Sequence, residues 1–166
     1  ADPVVVAYPD DLFHGPNVSA ALIAKHQATG VSVLSAMKVE EEDALSRYGV
    51  LAVEIDRDEV LRVRNIVEKP PLGTAPSNLV SLGRYLFTPE IFSLLAAGLQ
   101  NHQGGEYFHV DAMMALAAEN KLVAQPITAE RYDTGTTLDY LKTVMTVALD
   151  HPVYGPEMRQ FLAERT

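Results

Sequence analysis

The fold is decided by two apolar segments, VVVAY at Val4–Tyr8 and VSVLSAMKV at Val31–Val39, and by the helix signal between them. Both segments are rich in β-branched residues, which is typical of buried strands. Between them, Asn17 or Ser19 can cap a helix that Gly30 ends. A strand, a helix and a strand at this spacing predict a βαβ unit, with parallel pairing of the two strands and a right-handed crossover.

The rest of the chain continues the alternation of strands and helices, with one antiparallel pair inserted. Residues 50–55 and 60–67 have the pattern of two strands joined by a polar turn, and Arg62 and Arg64 alternate with apolar residues. Further strands are predicted at about 79–87 and 122–127, and further helices at about 90–97, 111–121, 137–149 and 156–163. We therefore expect a single α/β domain over residues 1–166.

The composition excludes several kinds of site and partner. The 166 residues include no Cys, so neither a disulfide nor a thiolate metal site can form, which fits a reducing cytoplasm. A net charge of −9 argues against nucleic acid as a partner. No apolar run approaches the roughly 18 residues of a membrane span, and the first residues lack the basic region of a signal peptide. We therefore predict a cytoplasmic protein with no membrane or nucleic-acid partner.

The most informative motif for function is Val67-Glu68-Lys69-Pro70, at the end of a predicted strand. A strand that ends on an adjacent acid and base, and then stops at two prolines, displays both charges at the rim of a sheet. The Lys69 ammonium suits a phosphate, and the Glu68 carboxylate accepts hydrogen bonds from hydroxyl groups. The motif therefore predicts a ligand with one anionic end and one hydroxyl-rich end, which describes a sugar phosphate.

Two aspartates are candidates for a metal site. Asp10 stands where the first strand ends, and Asp133 stands in a loop after the last strand. The carboxyl ends of parallel strands gather at one edge of an open α/β sheet, so the two carboxylates could converge there and hold Mg²⁺. Each residue also has a simpler interpretation: either Asp could cap a turn, Gly49 could be an ordinary turn glycine, and Asn78 could cap a strand.

Motifs for nucleophilic catalysis and for nucleotide binding are absent from the sequence. No Ser lies in a Gly-x-Ser-x-Gly elbow, and the five histidines show no spacing typical of metal ligands. No Gly-x-Gly-x-x-Gly or Walker loop is present that could cradle the phosphates of a nucleotide.

Six short motifs, taken together, resemble one family. They are Tyr8-Pro9-Asp10, Tyr48-Gly49-Val50, Val67-Glu68-Lys69-Pro70, Ala75-Pro76-Ser77-Asn78-Leu79, Gly83-Arg84-Tyr85 and Asp133-Thr134-Gly135. Their order and spacing are similar to those of the sugar-1-phosphate nucleotidyltransferases, in particular the bacterial UTP–glucose-1-phosphate uridylyltransferases. The resemblance covers essentially the whole chain. It implies a Rossmann-like, GT-A-like α/β fold, in which a mixed sheet is flanked by helices.

The resemblance implies which residues are catalytic. Asp10 and Asp133 match the two aspartates that bind Mg²⁺ in the family. Lys69 matches the lysine that grips the phosphate of the sugar. These three residues are therefore the candidates for the charge neutralisation on which phosphoryl chemistry depends.

The resemblance also implies a sugar-binding set. Gly49 matches the glycine whose backbone meets the sugar ring, and Glu68 matches the acid that binds the sugar hydroxyls. Lys69 belongs to this set through the phosphate, and Asn78 and Val80 match positions along the same pocket.

The implied activity is the synthesis of UDP-glucose and pyrophosphate from UTP and glucose-1-phosphate, with Mg²⁺ as cofactor and in a homo-oligomer. The Gly-rich signature of the family, Gly-x-Gly-x-Arg, is missing, so the chain resembles a C-terminal, sugar-binding portion that lacks the N-terminal strands. The isolated chain is therefore expected to be inactive. Two alternatives stay open: a thymidylyltransferase relative, and a non-catalytic module for sugar-phosphate binding or oligomerisation.

Overall fold

The structure, a computed structural model, describes residues 2–165. Contacts between Cα atoms divide the chain into two compact units. The first contains the residues up to Tyr8 together with Gly15–Ala129, and the second contains Pro9–His14 and the residues from Glu130 onward. The single domain expected over residues 1–166 stays a prediction.

The secondary structure alternates between strands and helices along the whole chain. In chain order the elements are β1 (Val4–Ala7), β2 (Asp11–His14), α1 (Val18–Thr29), β3 (Ser32–Lys38), α2 (Glu42–Leu45), β4 (Gly49–Ile55), β5 (Leu61–Glu68), β6 (Leu79–Phe87), α3 (Glu90–Asn101), α4 (Val110–Ala118), β7 (Leu122–Pro126), β8 (Glu130–Asp133), α5 (Thr137–Asp150) and α6 (Gly155–Ala163). Among residues 2–165, no helix combines the length and the apolar character needed to cross a membrane.

The first unit is built on a six-stranded mixed sheet with the strand order β1-β6-β3-β7-β5-β4, in which β4 also pairs with β6. The β3–β7 pair is parallel and the other pairs are antiparallel. The predicted mixed sheet flanked by helices is confirmed. The antiparallel pair predicted around the polar turn is confirmed as well, with Val50 opposite Val67.

The predicted direct pairing of the first two core strands is wrong. Strand β6 lies between β1 and β3 and is antiparallel to both, with Tyr85 opposite Val6 on one side and opposite Leu34 on the other. Strands β1 and β3 therefore run in the same direction without being neighbours. The nine-residue β6 is mostly apolar, as is typical of a central strand that pairs along both edges. The spacing of residues near β1 and β3 cannot reveal this strand, because it lies far along the chain.

Helices cover both faces of the sheet. The larger core cluster joins one face of the sheet to α3 and α4 and includes Leu34, Leu51, Ile66, Tyr85, Ile91, Met113 and Leu116. The smaller cluster joins the other face to α1 and includes Leu22, Val33, Leu86 and Val123. Each such side chain contributes about 1.5–3 kcal/mol when fully buried. Helix α1 begins as predicted, because Asn17 Oδ1 accepts a hydrogen bond from the Ala20 amide at 3.0 Å.

The second unit combines a two-stranded sheet with two helices. Strands β2 and β8 pair antiparallel, with Asp11 opposite Asp133. Neither strand was predicted, because four residues are too few to establish an alternating pattern. The turn between α5 and α6 is closed by His151, whose Nδ1 accepts hydrogen bonds from the Val153 and Tyr154 amides, both at 3.2 Å.

Replacing Gly155 by alanine is expected to destabilise the protein by about 2 kcal/mol. A Cβ at this position would press on the Leu149 carbonyl, 3.2 Å from its carbon, and would lie 3.3 Å from Arg159 Nη1. Alanine gains at most about 1 kcal/mol in helix propensity, so the clash outweighs the gain. Urea unfolding measures the difference. The same loss in an Arg159→Met background would assign the clash to the carbonyl, and a loss below about 0.5 kcal/mol would contradict this account.

Candidate functional site

In the first unit, β1 and β4 pair with the same edge of β6, β1 near its end and β4 near its start. Strand β3 pairs with the opposite edge of β6 at residues 79–81 and 85–86, with a register shift between these two stretches. On the shared edge, the Tyr8 amide donates to the Gly83 carbonyl at 2.7 Å just beyond β1, and Val50 of β4 lies opposite Val80. We call the stretch of this edge between Tyr8 and Val50 the notch. Val80 and Gly83 are three residue steps apart along β6, so the notch is at most about 10 Å long.

On the side of the notch formed by β4 and β5, the carboxylate of Glu68 lies against Gly49. Gly49 begins β4 and lies opposite Glu68, the last residue of β5. A Cβ on Gly49 would lie 2.9 Å from Glu68 Oε2 and 3.3 Å from Ile66 Cγ2. The absence of a side chain at Gly49 therefore allows the Glu68 carboxylate to lie across β4. Among residues 2–165 this carboxylate has no hydrogen-bond or ion-pair partner, so its oxygens are available to a ligand.

Lys69 is held in an unusual backbone conformation directly after Glu68. Its φ is +45°, in the left-handed region that residues other than glycine seldom adopt, and the following Pro70 restricts it further. The Lys69 amide donates to the Tyr48 carbonyl at 2.9 Å, which helps to hold this conformation. In the described part of the chain the ammonium has no acidic partner. Local strain of this kind, together with an unpaired charge, is a feature of ligand-binding positions.

Asn78 and Val80 flank the start of β6, and the structure gives them different environments. The carbonyl of Asn78 accepts from the Val39 amide at 2.9 Å, and its half-buried amide side chain has no hydrogen-bond partner within residues 2–165. Val80 is fully buried, so its side chain is not accessible to a ligand in this conformation. The sequence prediction missed Ser77, whose Oγ donates to the Leu51 carbonyl at 2.6 Å and fixes the entry to β6.

Replacing Gly49 by alanine is expected to weaken binding of the sugar phosphate that the sequence predicts as ligand about 10-fold, with little loss of stability. The new methyl group would displace the Glu68 carboxylate and would keep a ligand away from the strand backbone. The dissociation constant for the sugar phosphate measures the effect. Because the effect acts partly through Glu68, it should shrink in a Glu68→Gln background. Equal losses in the two backgrounds would show that Gly49 acts independently of the carboxylate.

In the second unit, the structure brings Asp10 and Asp133 to one turn. The Asp10 carbonyl accepts from the Thr134 amide at 2.9 Å and from Thr134 Oγ1 at 3.0 Å. A Cβ on Gly135 would lie 3.1 Å from Asp133 Oδ1 and 3.7 Å from Asp10 Oδ2, so a single added carbon would contact both carboxylates. The two acids meet as predicted from the sequence. The antiparallel β2–β8 pair brings them together, whereas the prediction relied on the ends of parallel strands.

Arg131 is a neighbour of this turn that the sequence prediction missed. Its Nε donates to Asp11 Oδ1 at 2.6 Å, and its Nη2 donates to Asp133 Oδ2 at 3.1 Å. Asp11 is 5% exposed, so the Asp11–Arg131 pair is largely removed from water and fixes the position of β8. The four residues of β8, Glu-Arg-Tyr-Asp, contain no alternating pattern that could have revealed this strand or its arginine.

The donor set at this turn fits a divalent cation that prefers oxygen ligands. Magnesium is usually held by one or two carboxylates, with water and substrate phosphates completing its shell. Asp10 has an exposed carboxylate without a partner among residues 2–165, and each oxygen of Asp133 that accepts one hydrogen bond keeps a second lone pair. No set of three His, Asp or Glu side chains within the described chain could hold a metal alone. A cation at Asp10 and Asp133 would therefore depend on phosphate ligands.

Comparison with known sequences gives consistent matches. The sequence model of the family described as Nucleotidyl transferase matches residues 1–149. A UTP–glucose-1-phosphate uridylyltransferase of Staphylococcus epidermidis is 34% identical over 164 residues, which cover 98% of this chain and 56% of that relative. The chain thus spans about half the length of the curated relatives it matches.

Solved structures agree with these sequence matches. A UTP-bound UGPase from Acinetobacter baumannii superposes with a TM-score of 0.85 and 28% identity, over 99% of this chain and 57% of that one. A UDP-glucose pyrophosphorylase in complex with UDP-glucose superposes with a TM-score of 0.71 and 29% identity, over 84% of this chain and 54% of that one. The fold of this chain is therefore that of the corresponding part of these proteins, which confirms the predicted fold class.

Proposed function

The chain belongs to the nucleotidyl transferase family, and from this premise we propose that it is the sugar-phosphate-binding portion of a UTP–glucose-1-phosphate uridylyltransferase. The complete protein would make UDP-glucose and pyrophosphate from UTP and glucose-1-phosphate. In this proposal Gly49, Glu68, Lys69, Asn78 and Val80 form the sugar-phosphate site.

The observation that carries the proposal is that an unpaired acid and an unpaired base follow one another at the end of β5, beside the starts of β4 and β6. Glu68 and Lys69 are consecutive, yet the left-handed turn at Lys69 changes the chain direction directly after the strand. Glu68 can accept hydrogen bonds from sugar hydroxyls, and Lys69 can donate to phosphate oxygens. Val80 would then contribute through its backbone, since its side chain is fully buried.

The reaction needs positioning and charge neutralisation more than covalent chemistry by the protein. A phosphate oxygen of glucose-1-phosphate forms a bond to the α-phosphorus of UTP, and the bond from that phosphorus to the β-phosphate oxygen breaks, which releases pyrophosphate. Lys69 would hold the attacking phosphate in place and offset its charge. Asp10 and Asp133 would hold Mg²⁺, which when bound neutralises phosphate charge.

The test is pyrophosphate release from UTP and glucose-1-phosphate with Mg²⁺, by the protein expressed from its complete reading frame. The proposal expects turnover with UTP, and no turnover by the isolated 166-residue chain, which contains no phosphate-cradling loop. Turnover with dTTP in preference to UTP would favour a thymidylyltransferase. No turnover with any nucleoside triphosphate would favour a non-catalytic sugar-phosphate-binding or oligomerisation module.

We further propose that the protein is cytoplasmic and forms a homo-oligomer through α5 and α6. Leu138, Leu141 and Val153 are 61%, 54% and 71% exposed, which is unusual for large apolar side chains grouped on neighbouring elements. A groove of about 550 Å³ beside them is lined by residues that include Val144, Val147 and Met158. Sedimentation equilibrium measures the assembly state. A monomer at micromolar concentration would contradict this proposal.

A further inference from the structure

The end of the notch opposite Glu68 carries a polar aromatic pair. Tyr8 is 39% exposed, and its Oη lies 3.3 Å from both ring nitrogens of His109. Tyr85 lies beneath the pair, with its ring centroid 5.7 Å from that of Tyr8 and 5.3 Å from that of His109, in edge-on geometry. Three rings in mutual contact hold the hydroxyl and the imidazole in defined positions.

The pair and Glu68 lie on the same face of the sheet. The ring of Tyr8 packs on Tyr85, which belongs to the larger core cluster together with Ile66. Glu68 follows Ile66 by two residues in β5, so its side chain leaves the sheet on that same face. The Cβ position of Gly49 beside both Ile66 and Glu68 supports this assignment. The notch is therefore bordered on one face by Glu68 at one end, and by Tyr8 and His109 at the other.

The groups at the second end have the chemistry to bind hydroxyl groups. Burial lowers the pKa of His109 below its ordinary value, so at neutral pH the imidazole is uncharged and offers one donor and one acceptor. A phenol can donate one hydrogen bond and accept others. Between the two ends, the Oγ of Ser81 is buried and has no hydrogen-bond partner among residues 2–165, so the floor of the notch is also polar.

We propose that Tyr8 and His109 bind hydroxyl groups of the sugar ring and determine which hexose-1-phosphate the site accepts. This inference rests on the proposed function of Glu68 and Lys69. With the phosphate on Lys69 and one set of hydroxyls on Glu68, the ring extends along the notch toward Tyr8. A sugar whose hydroxyl is missing or inverted at that end cannot form a hydrogen bond with the Tyr8–His109 pair. Because the polar groups of the pair are then left without a partner, the site discriminates strongly against such a sugar.

The test combines variants with substrate analogues in the protein from its complete reading frame. Tyr8→Phe removes one exposed oxygen, and His109→Leu removes the imidazole. The value of kcat/KM is measured for glucose-1-phosphate and for its 2-, 3-, 4- and 6-deoxy analogues at saturating UTP. The wild-type protein should lose about 10-fold on one of these analogues. In Tyr8→Phe, kcat/KM for glucose-1-phosphate should fall about 10-fold, whereas kcat/KM for that deoxy analogue should not fall below its wild-type value. His109→Leu should show the same pattern with the same analogue or with the one deoxygenated at the neighbouring carbon.

A matched control separates specificity from structure. Tyr107→Phe also removes a phenol oxygen in the first unit, one that lies against Gly98 of α3, and should leave the penalties for all four analogues at their wild-type values. A destabilised fold would lower all rates together without singling out one hydroxyl. If both variants show wild-type penalties on every analogue while the wild-type protein turns over glucose-1-phosphate, the inference is wrong and the proposed function stands. If the wild-type protein does not turn over any sugar-1-phosphate, both fail.

Discussion

Replacing Lys69 by methionine, in the protein from its complete reading frame, is expected to lower kcat/KM for glucose-1-phosphate about 10²-fold or more. Methionine keeps most of the apolar stem and removes the ammonium. The charge has no acidic partner within residues 2–165, so its binding energy is available to the phosphate of a ligand. A lost hydrogen bond between two charged groups accounts for about 1.5–3 kcal/mol, and any additional contact made only in the transition state increases the loss.

The stability of this variant should change little, because methionine, like lysine, has an unbranched Cβ and should tolerate the left-handed backbone at position 69 equally well. Lys25→Met is the matched control, since it removes a lysine charge from α1, away from the notch. Steady-state kinetics on the two variants, with thermal melting of each, separates the loss of charge from the loss of fold. Equal kcat/KM values for Lys69→Met and Lys25→Met would remove Lys69 from the proposed site.

Replacing Asp133 by asparagine is expected to reduce activity at least about 10²-fold and to weaken binding of divalent cations. Asparagine can still accept a hydrogen bond from the Gly135 amide, which Asp133 Oδ1 accepts at 2.9 Å, so the turn should persist. The negative charge and one oxygen ligand are lost. Arg131 then loses one of its two carboxylate partners and keeps Asp11.

Cation binding provides a measurement that does not depend on turnover. Titration of the protein from its complete reading frame with Mn²⁺, in the presence of UTP to supply the phosphate ligands, should broaden the amide resonances of Thr134 and Gly135 before others, and Asp133→Asn should abolish this selectivity. Asp150→Asn is the control, because it removes an exposed acid of the same unit outside the turn. Asp10→Asn should act in the same direction as Asp133→Asn, and the double variant should lose less than the product of the two effects. Unchanged broadening in Asp133→Asn would contradict the metal site.

The sequence predicted the parts of the fold that depend on local signals. The cap at Asn17 and the antiparallel pair around the turn after Ile55 follow from short-range patterns, and the structure has both. The mixed sheet, which the structure also has, was implied by the family resemblance. It failed where a partner comes from far along the chain. The position of β6 between β1 and β3 and the pairing of β2 with β8 depend on contacts between distant segments, which periodicity does not encode.

The candidate site divides in the same way. Glu68 and Lys69 could be identified because a strand pattern ends on them. The left-handed backbone at Lys69 could not be predicted, since lysine does not favour this conformation. The sequence did not identify the roles of Arg131, Ser77 and the Tyr8–His109 pair. Each role depends on a contact with a residue far away in the chain, which only the fold brings close. The pair joins residues 101 positions apart, a relation that a single sequence does not display.

The pairing of β2 with β8 has a consequence for the order of events during synthesis. Asp11 and Arg131, which form the buried ion pair of this small sheet, are 120 residues apart in the chain. Asp10 therefore leaves the ribosome long before Asp133, and the turn that joins them cannot close until the residues up to Thr134 have been made. Closing so long a loop is slow, and contacts of this separation form late in folding. A nascent chain would thus form the turn at Asp10 only after Asp133 and Thr134 have been made, so Asp10 lacks its second carboxylate for most of the synthesis of the segment between them.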